Sequence, residues 1–289
     1  MTDKITSPNK QIALYLAFLF LFSSCFYFLI IRSGSLRSAH GLYVLGLMWC
    51  PGLAAMTTLL LSGRPLAELG WIRGPAKYLW ASWFVPLLYT AIAYTIVWIT
   101  GVGGFGNSDF TGKLANAMHL PGPRWLSVGL GLLLVSSLGL IGNLAGALGE
   151  EIGWRGLLVP KLFRKFSFTS TALVSGVIWS LWHYPILIFS DYNAGTRTWY
   201  ALTCFTTMVI AISFIFAWFR LKSGSLWTGA LLHASHNLYI QDIFSPLTRD
   251  TGKTAWYIDE FGAILPLAAI GFAIYFWRRR GELVRPSEP

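Results

Sequence analysis

Charge is scarce in this chain. Asp, Glu, Lys and Arg make up 12% of its 289 residues, against 55% hydrophobic and 16% aromatic side chains, and mean hydropathy is +0.57. Too few charges remain to cover a water-soluble domain of this length, which excludes the soluble classes and leaves a polytopic membrane protein. Cysteine is scarce as well. Cys25, Cys50 and Cys204 all fall in apolar runs. Their spacing suggests neither a zinc site nor a disulfide framework, so they read as packing residues. Internal repeats, low-complexity tracts and soluble linkers are also missing. Basic residues outnumber acidic ones by 22 to 12, for a formal net charge of +10. They are scattered between apolar runs and form no stripe or tail, so nucleic acid is not an expected partner and the bases read as topology signals.

Long apolar runs are what the chain does have. They predict about eight spans, at residues 12–31, 41–61, 78–99, 125–148, 171–189, 199–219, 225–240 and 261–277. Each of the first six is long enough for a bilayer, which takes about 20 residues of helix. The expected architecture is all-α, a membrane helical bundle forming one domain over 1–289. The first run is too long for a signal peptide and lacks a small-x-small cleavage site. Phe22-Ser23-Ser24-Cys25 faintly resembles a lipoprotein cleavage box, but the apolar run continues past the cysteine. About 15 Lys and Arg flank the spans on the side of the termini, against about 7 on the other, which predicts both termini in the cytoplasm of a cell membrane, in a bacterium the inner one. Membrane lipid is thus one partner. Connections 100–124 and 242–260 read as solvated loops, with a lid as the alternative for the first.

Within this apolar chain, Gly149-Glu150-Glu151-Ile152-Gly153-Trp154-Arg155 is the costliest stretch. A charge at mid-membrane costs roughly 2.5–3.5 kcal/mol on insertion scales, so intramembrane acids usually face a protein interior or a watery recess. Glu151 and Arg155 are four apart on one helix face and can pair. Glu150, rotated about 100° away, is left as an unpaired acid. The bland alternative is a solvated helix end beside Lys161, Arg164 and Lys165.

Helical rise places three polar stretches at similar depth. Glu150 lies about 16 Å from the basic boundary at Lys161, His183 about 20 Å past Ser170, and His233 and Asn237 about 12 and 18 Å past Ser225. Such a layer predicts a shared intramembrane cavity. Taken alone, each residue has an ordinary explanation: His183 follows Trp179 and Trp182 on an aromatic helix face, and His233 or His236 serves as well to bond a neighbouring helix. Together they supply the groups that split an amide with water. Glu150 would move the proton, His183 would hold the water, and His233 and Asn237 would stabilise the oxyanion. Zinc held by Glu150, His183 and His233 is the other reading. Asn237 argues for the metal-free version, since an amide is a poor zinc ligand and a good donor.

These residues resemble the motifs of the CPBP family, also called Abi or CAAX protease-like proteins. Glu150, Glu151 and Arg155 match Glu-Glu-x-x-x-Arg; Trp179 and His183 match the aromatic-x-x-x-His motif, with Trp where Phe is usual; His233 and Asn237 match His-x-x-x-Asn. The resemblance covers a core of about 125–240. It implies an intramembrane endopeptidase acting on a membrane-associated or prenylated peptide or protein, with Glu150, His183, His233 and Asn237 catalytic and Glu151, Arg155, Trp179 and His236 in support. Its site is expected to open to the cytoplasm or sideways into lipid. Two other classes share these residues: a scaffold or bacteriocin-immunity protein that keeps the fold without hydrolysis, and an ion-coupled transporter. The transporter reading lacks the matching broken helices in two halves that it calls for.

Overall fold

A computed structural model describes residues 7–118, 123–193 and 195–284. The first helix, α1 (Pro8–Ser33), starts where Ser7 Oγ accepts the Lys10 N–H and Pro8 fixes the first turn, and ends at Gly34 in the left-handed region. It is followed by α2 (Leu42–Leu61), α3 (Ala76–Ile99), α4 (Ser108–Met118) and α5 (Arg124–Glu151). A π-helical segment, Ile152–Leu158, carries α5 into α6 (Val159–Lys165). Then come α7 (Phe168–Phe189) and α8 (Thr198–Ser223), and α9 (Leu226–Asn237) runs through a second π segment, Leu238–Phe244, into α10 (Ser245–Leu247). The last helix is α11 (Ile264–Arg278).

Among the described residues, six helical stretches are long and apolar enough to cross a membrane: Pro8–Ser33, Ser38–Leu61, Ala76–Ile99, Arg124–Lys165, Phe168–Phe189 and Thr198–Ser223. The other two expected spans are helical but fall short of that measure, so the architecture is the expected all-α membrane bundle without its count of eight being reached. Large apolar side chains face outward along the spans, as lipid-facing helices require; Leu133, Leu138 and Ile141 of α5 are each at least 60% exposed.

Hydrogen bonds between connections define two faces of the bundle. Lys165 donates to Asn9, Lys222 Nζ to the Glu282 carbonyl, and Arg220 to the Leu69 and Gly224 carbonyls, which gathers both ends of the described chain on one face. Opposite them, Ser35 Oγ and the Leu36 N–H donate to Asp191, Thr251 Oγ1 donates to the Val102 carbonyl, and β1 (Gly104–Phe105) pairs antiparallel with β2 (Thr248–Arg249). The 100–124 connection, whose residues 119–122 lie outside the described ones, is thus more than a loop: it holds β1 and α4, and α4 packs on α5.

At the acidic motif, α2 and α5 cross with backbone against backbone. A Cβ on Gly149 would sit 2.7 Å from the Met48 carbonyl oxygen, and one on Gly52 would sit 2.7 Å from that of Gly149. Only glycine admits this approach, which fixes the motif against α2.

Candidate active site

Glu150 and Glu151 are neighbours in sequence, but their side chains have different surroundings. Glu151 is fully buried, and its Oε1 accepts from Arg155 Nη1 at 2.8 Å and from His233 Nδ1 at 3.1 Å. Arg155 is held in turn between two rings, with its guanidinium carbon 4.2 Å from the centre of Trp179 and 4.6 Å from that of Phe216. Gly229 makes room for the pair, since a Cβ there would fall 2.7 Å from Glu151 Oε2. The expected Glu151–Arg155 pair is present, and His233 joins it. Arg155 lies inside the π segment, where carbonyls lose their i+4 partners; its own carbonyl accepts from Arg220 Nε at 2.8 Å. In the sequence, Arg220 counts only as one more base near a connection.

Glu150 faces the other way, into a cavity of about 720 Å³. Its Oε2 accepts from two indoles, Trp179 Nε1 at 2.8 Å and Trp154 Nε1 at 3.3 Å. Trp179 thus does more than replace one aromatic with another, because Phe has no N–H to offer this carboxylate. His183 lines the same cavity, with Nδ1 2.9 Å from the Trp179 carbonyl. A carbonyl only accepts, so Nδ1 carries the proton and Nε2 is left for the cavity. His233, Asn237, His236 and Trp179 also line it. The layer expected from helical rise is therefore one recess, with Glu151 and Arg155 behind its wall. His236 Nδ1 lies 2.6 Å from the Tyr89 hydroxyl.

The cavity wall also carries an acid that belongs to none of the three motifs. Glu260 is 4% exposed, contrary to the solvated loop expected there, and Asp242 of the same stretch accepts from Asn143 Nδ2 at 2.7 Å. A charged loop just before an apolar run gives no sequence signal that one acid turns inward. The zinc reading fits this arrangement poorly. Among the described residues no three His, Cys, Asp or Glu side chains are grouped to hold an ion. The bonds to Glu150 Oε2 and to the two imidazole Nδ1 atoms leave Glu150 Oε1 and both Nε2 atoms as the groups available for chemistry.

Towards the face opposite the termini the cavity is lined by Arg37 and His40, with Tyr192 and Glu260 from two other connections. The loop carrying Arg37 is anchored by Asp191. The Leu36 N–H, followed by the Ser35 hydroxyl, holds that carboxyl below the usual range against a small burial penalty.

Removing one member of a buried ion pair leaves the other charge uncompensated. Arg155→Ala is expected to destabilise the fold by roughly 3–5 kcal/mol in reversible unfolding in mixed micelles, and Arg155→Lys to recover only part, since an ammonium lacks the planar fork. A loss below about 1 kcal/mol would show that the pair is not buried as described.

Residues 114–239 match a family model described as Rce1-like, type II CAAX prenyl endopeptidase. CAAX prenyl protease 2 of Methanococcus maripaludis is 30% identical over 131 residues, which are 44% of this chain and 45% of that protein. The chain thus matches less than half the length of this relative. All three motifs lie inside the segment matched by the family model, and over that segment the chain is similar to the type II CAAX prenyl endopeptidases.

Proposed function

We propose that the protein is an intramembrane endopeptidase that hydrolyses a peptide bond of a membrane-associated or prenylated substrate. The observation that supports it best is the single recess in an apolar bundle where Glu150, His183, His233 and Asn237 meet, brought there by three separate helices.

Both indole N–H groups go to Glu150 Oε2, so Oε1 takes the proton from a water positioned by His183 Nε2. The water oxygen attacks the scissile carbonyl carbon, and the carbonyl electron pair moves onto oxygen. Asn237 donates its amide N–H to that oxyanion. His233 donates as well only when its ring is an imidazolium, because its Nδ1 proton is committed to Glu151. The tetrahedral centre then collapses, the C–N bond breaks, and Glu150 returns the proton to the leaving amine. No cofactor takes part in this scheme. Both termini are placed in the cytoplasm on the charge asymmetry, so substrate enters from the opposite face or from lipid.

Internally quenched farnesylated peptides in nanodiscs supply the assay. Glu150→Gln is expected to lower kcat by roughly 10²–10⁴. Trp179→Phe keeps a ring over Arg155 but loses the bond to Glu150, and lowers kcat by about tenfold without unfolding the protein. Chelators leave the rate unchanged. Wild-type turnover in Glu150→Gln, or activity lost to a chelator and restored by zinc, contradicts this mechanism.

Orientation has its own test. In an otherwise cysteine-free chain, Ser38→Cys is expected to react with an impermeant maleimide in intact cells and Asn9→Cys to stay unlabelled. The reverse pattern places the Arg37 end of the cavity in the cytoplasm.

A further inference from the structure

Glu260 is a buried carboxylate in the cavity wall to which neither the three motifs nor the family match, which ends at residue 239, gives a task. The backbone before it is unusual. Asp259 has a φ of 65°, in the left-handed region that Asp tolerates better than most residues. Its N–H donates to the Tyr94 hydroxyl at 3.1 Å, while the Glu260 N–H donates to Asp259 Oδ1 at 2.7 Å. Burial, then the neighbouring Glu260 charge, push Asp259 up to about 7. Against its own burial penalty, the bond and charge of His236 and the bond from Gln241 hold Glu260 below the usual carboxylate range. Of the two acids, Glu260 is the stronger.

The Glu260 carboxylate accepts two hydrogen bonds and has an imidazole nitrogen in contact with it. Oε1 accepts from Gln241 Nε2 at 3.0 Å and lies 3.4 Å from His236 Nε2, and Oε2 accepts from the Tyr192 hydroxyl at 3.3 Å. The Tyr89 hydroxyl lies 2.6 Å from the other ring nitrogen of His236, so Tyr89, His236 and Glu260 stand in a row.

Asn237 lies between the two residues that share Oε1, with His236 just before it and Gln241 four residues after. At the same point the helix passes from α9 into its π segment. A π turn is a rare and strained geometry, and Asn237 makes no side-chain hydrogen bond among the described residues that would fix its amide. We propose that Glu260 is a positioning residue for the oxyanion step: it grips the helix on both sides of Asn237 and so sets where that amide points. The proposal rests on the assignment of Asn237 to the oxyanion. Because the grip comes from a connection rather than from the motif helices, the precision of the oxyanion donor depends on how that connection is seated, through Tyr94, Tyr192 and the pairing of β1 with β2.

A double-mutant cycle on the farnesylated peptide separates this role from mere support of the fold. Glu260→Ala is expected to lower kcat about tenfold with KM within about twofold, and Glu260→Gln, which still offers an oxygen to Gln241, to recover most of it. In the Asn237→Ala background the loss of Glu260 should cost no further rate. Gln241→Ala weakens the same grip without touching a buried charge and gives the same pattern, so the cycle can be closed even where Glu260→Ala does not fold. Equal rate losses in both backgrounds, or an effect confined to melting temperature or KM, overturn the proposal while leaving the peptidase reading in place. Wild-type turnover in Asn237→Ala overturns the oxyanion assignment, and the proposal with it.

Discussion

The ion pair between Glu151 and Arg155 is what the rest of the site depends on. Two adjacent carboxylates in a bundle this apolar are tolerable only if at least one is neutralised, and buried pairs repay their desolvation only when the geometry is close and the neighbouring polar groups are satisfied. Here Arg155 supplies one bond and His233 another, and the rings of Trp179 and Phe216 lie against the guanidinium, while Glu151 Oε2 and Arg155 Nε are buried without a hydrogen-bond partner among the described residues. The π segment places Arg155 for this task, and Arg220 takes up its displaced carbonyl. Once Glu151 is settled, Glu150 is free to face the cavity.

Trp179 joins the two halves of this arrangement. Its ring carries the cation of the structural pair, its N–H fixes the cavity-facing carboxylate, and its carbonyl sets the proton on His183. One side chain at the aromatic position of the second motif thus ties the charge that stabilises the fold to the charge proposed to do the chemistry. His233 makes a similar link from α9, bonded to Glu151 on one side and lining the cavity on the other. Stability and chemistry are therefore coupled here, and substitutions on the structural side are expected to reach the reaction through geometry.

Much of this was legible in the sequence. Hydropathy showed the bundle, the spacing of Glu151 and Arg155 showed their pair, and counting helical rise brought Glu150, His183, His233 and Asn237 to one depth. What stayed hidden has physical reasons. The π segments begin right after the motif residues, and a one-residue widening of a helix leaves no mark on hydropathy. Glu260 looks like any acid in a polar connection until the left-handed turn at Asp259 directs it inward. Arg220 reads as a topology signal because its partners are backbone carbonyls, which sequence does not display. Which connections line the outer end of the cavity depends on long-range contacts that the sequence does not display.

The central claim is that water held in this cavity cleaves a peptide bond under the control of Glu150. Its most direct test is cleavage of the farnesylated peptide by the reconstituted protein in H2(18)O, read by mass spectrometry. The account predicts a new C-terminal carboxylate carrying a solvent oxygen in the wild type, and intact peptide with Glu150→Gln over the same time. Intact peptide with both proteins, or labelled product from both at the same rate, would contradict it.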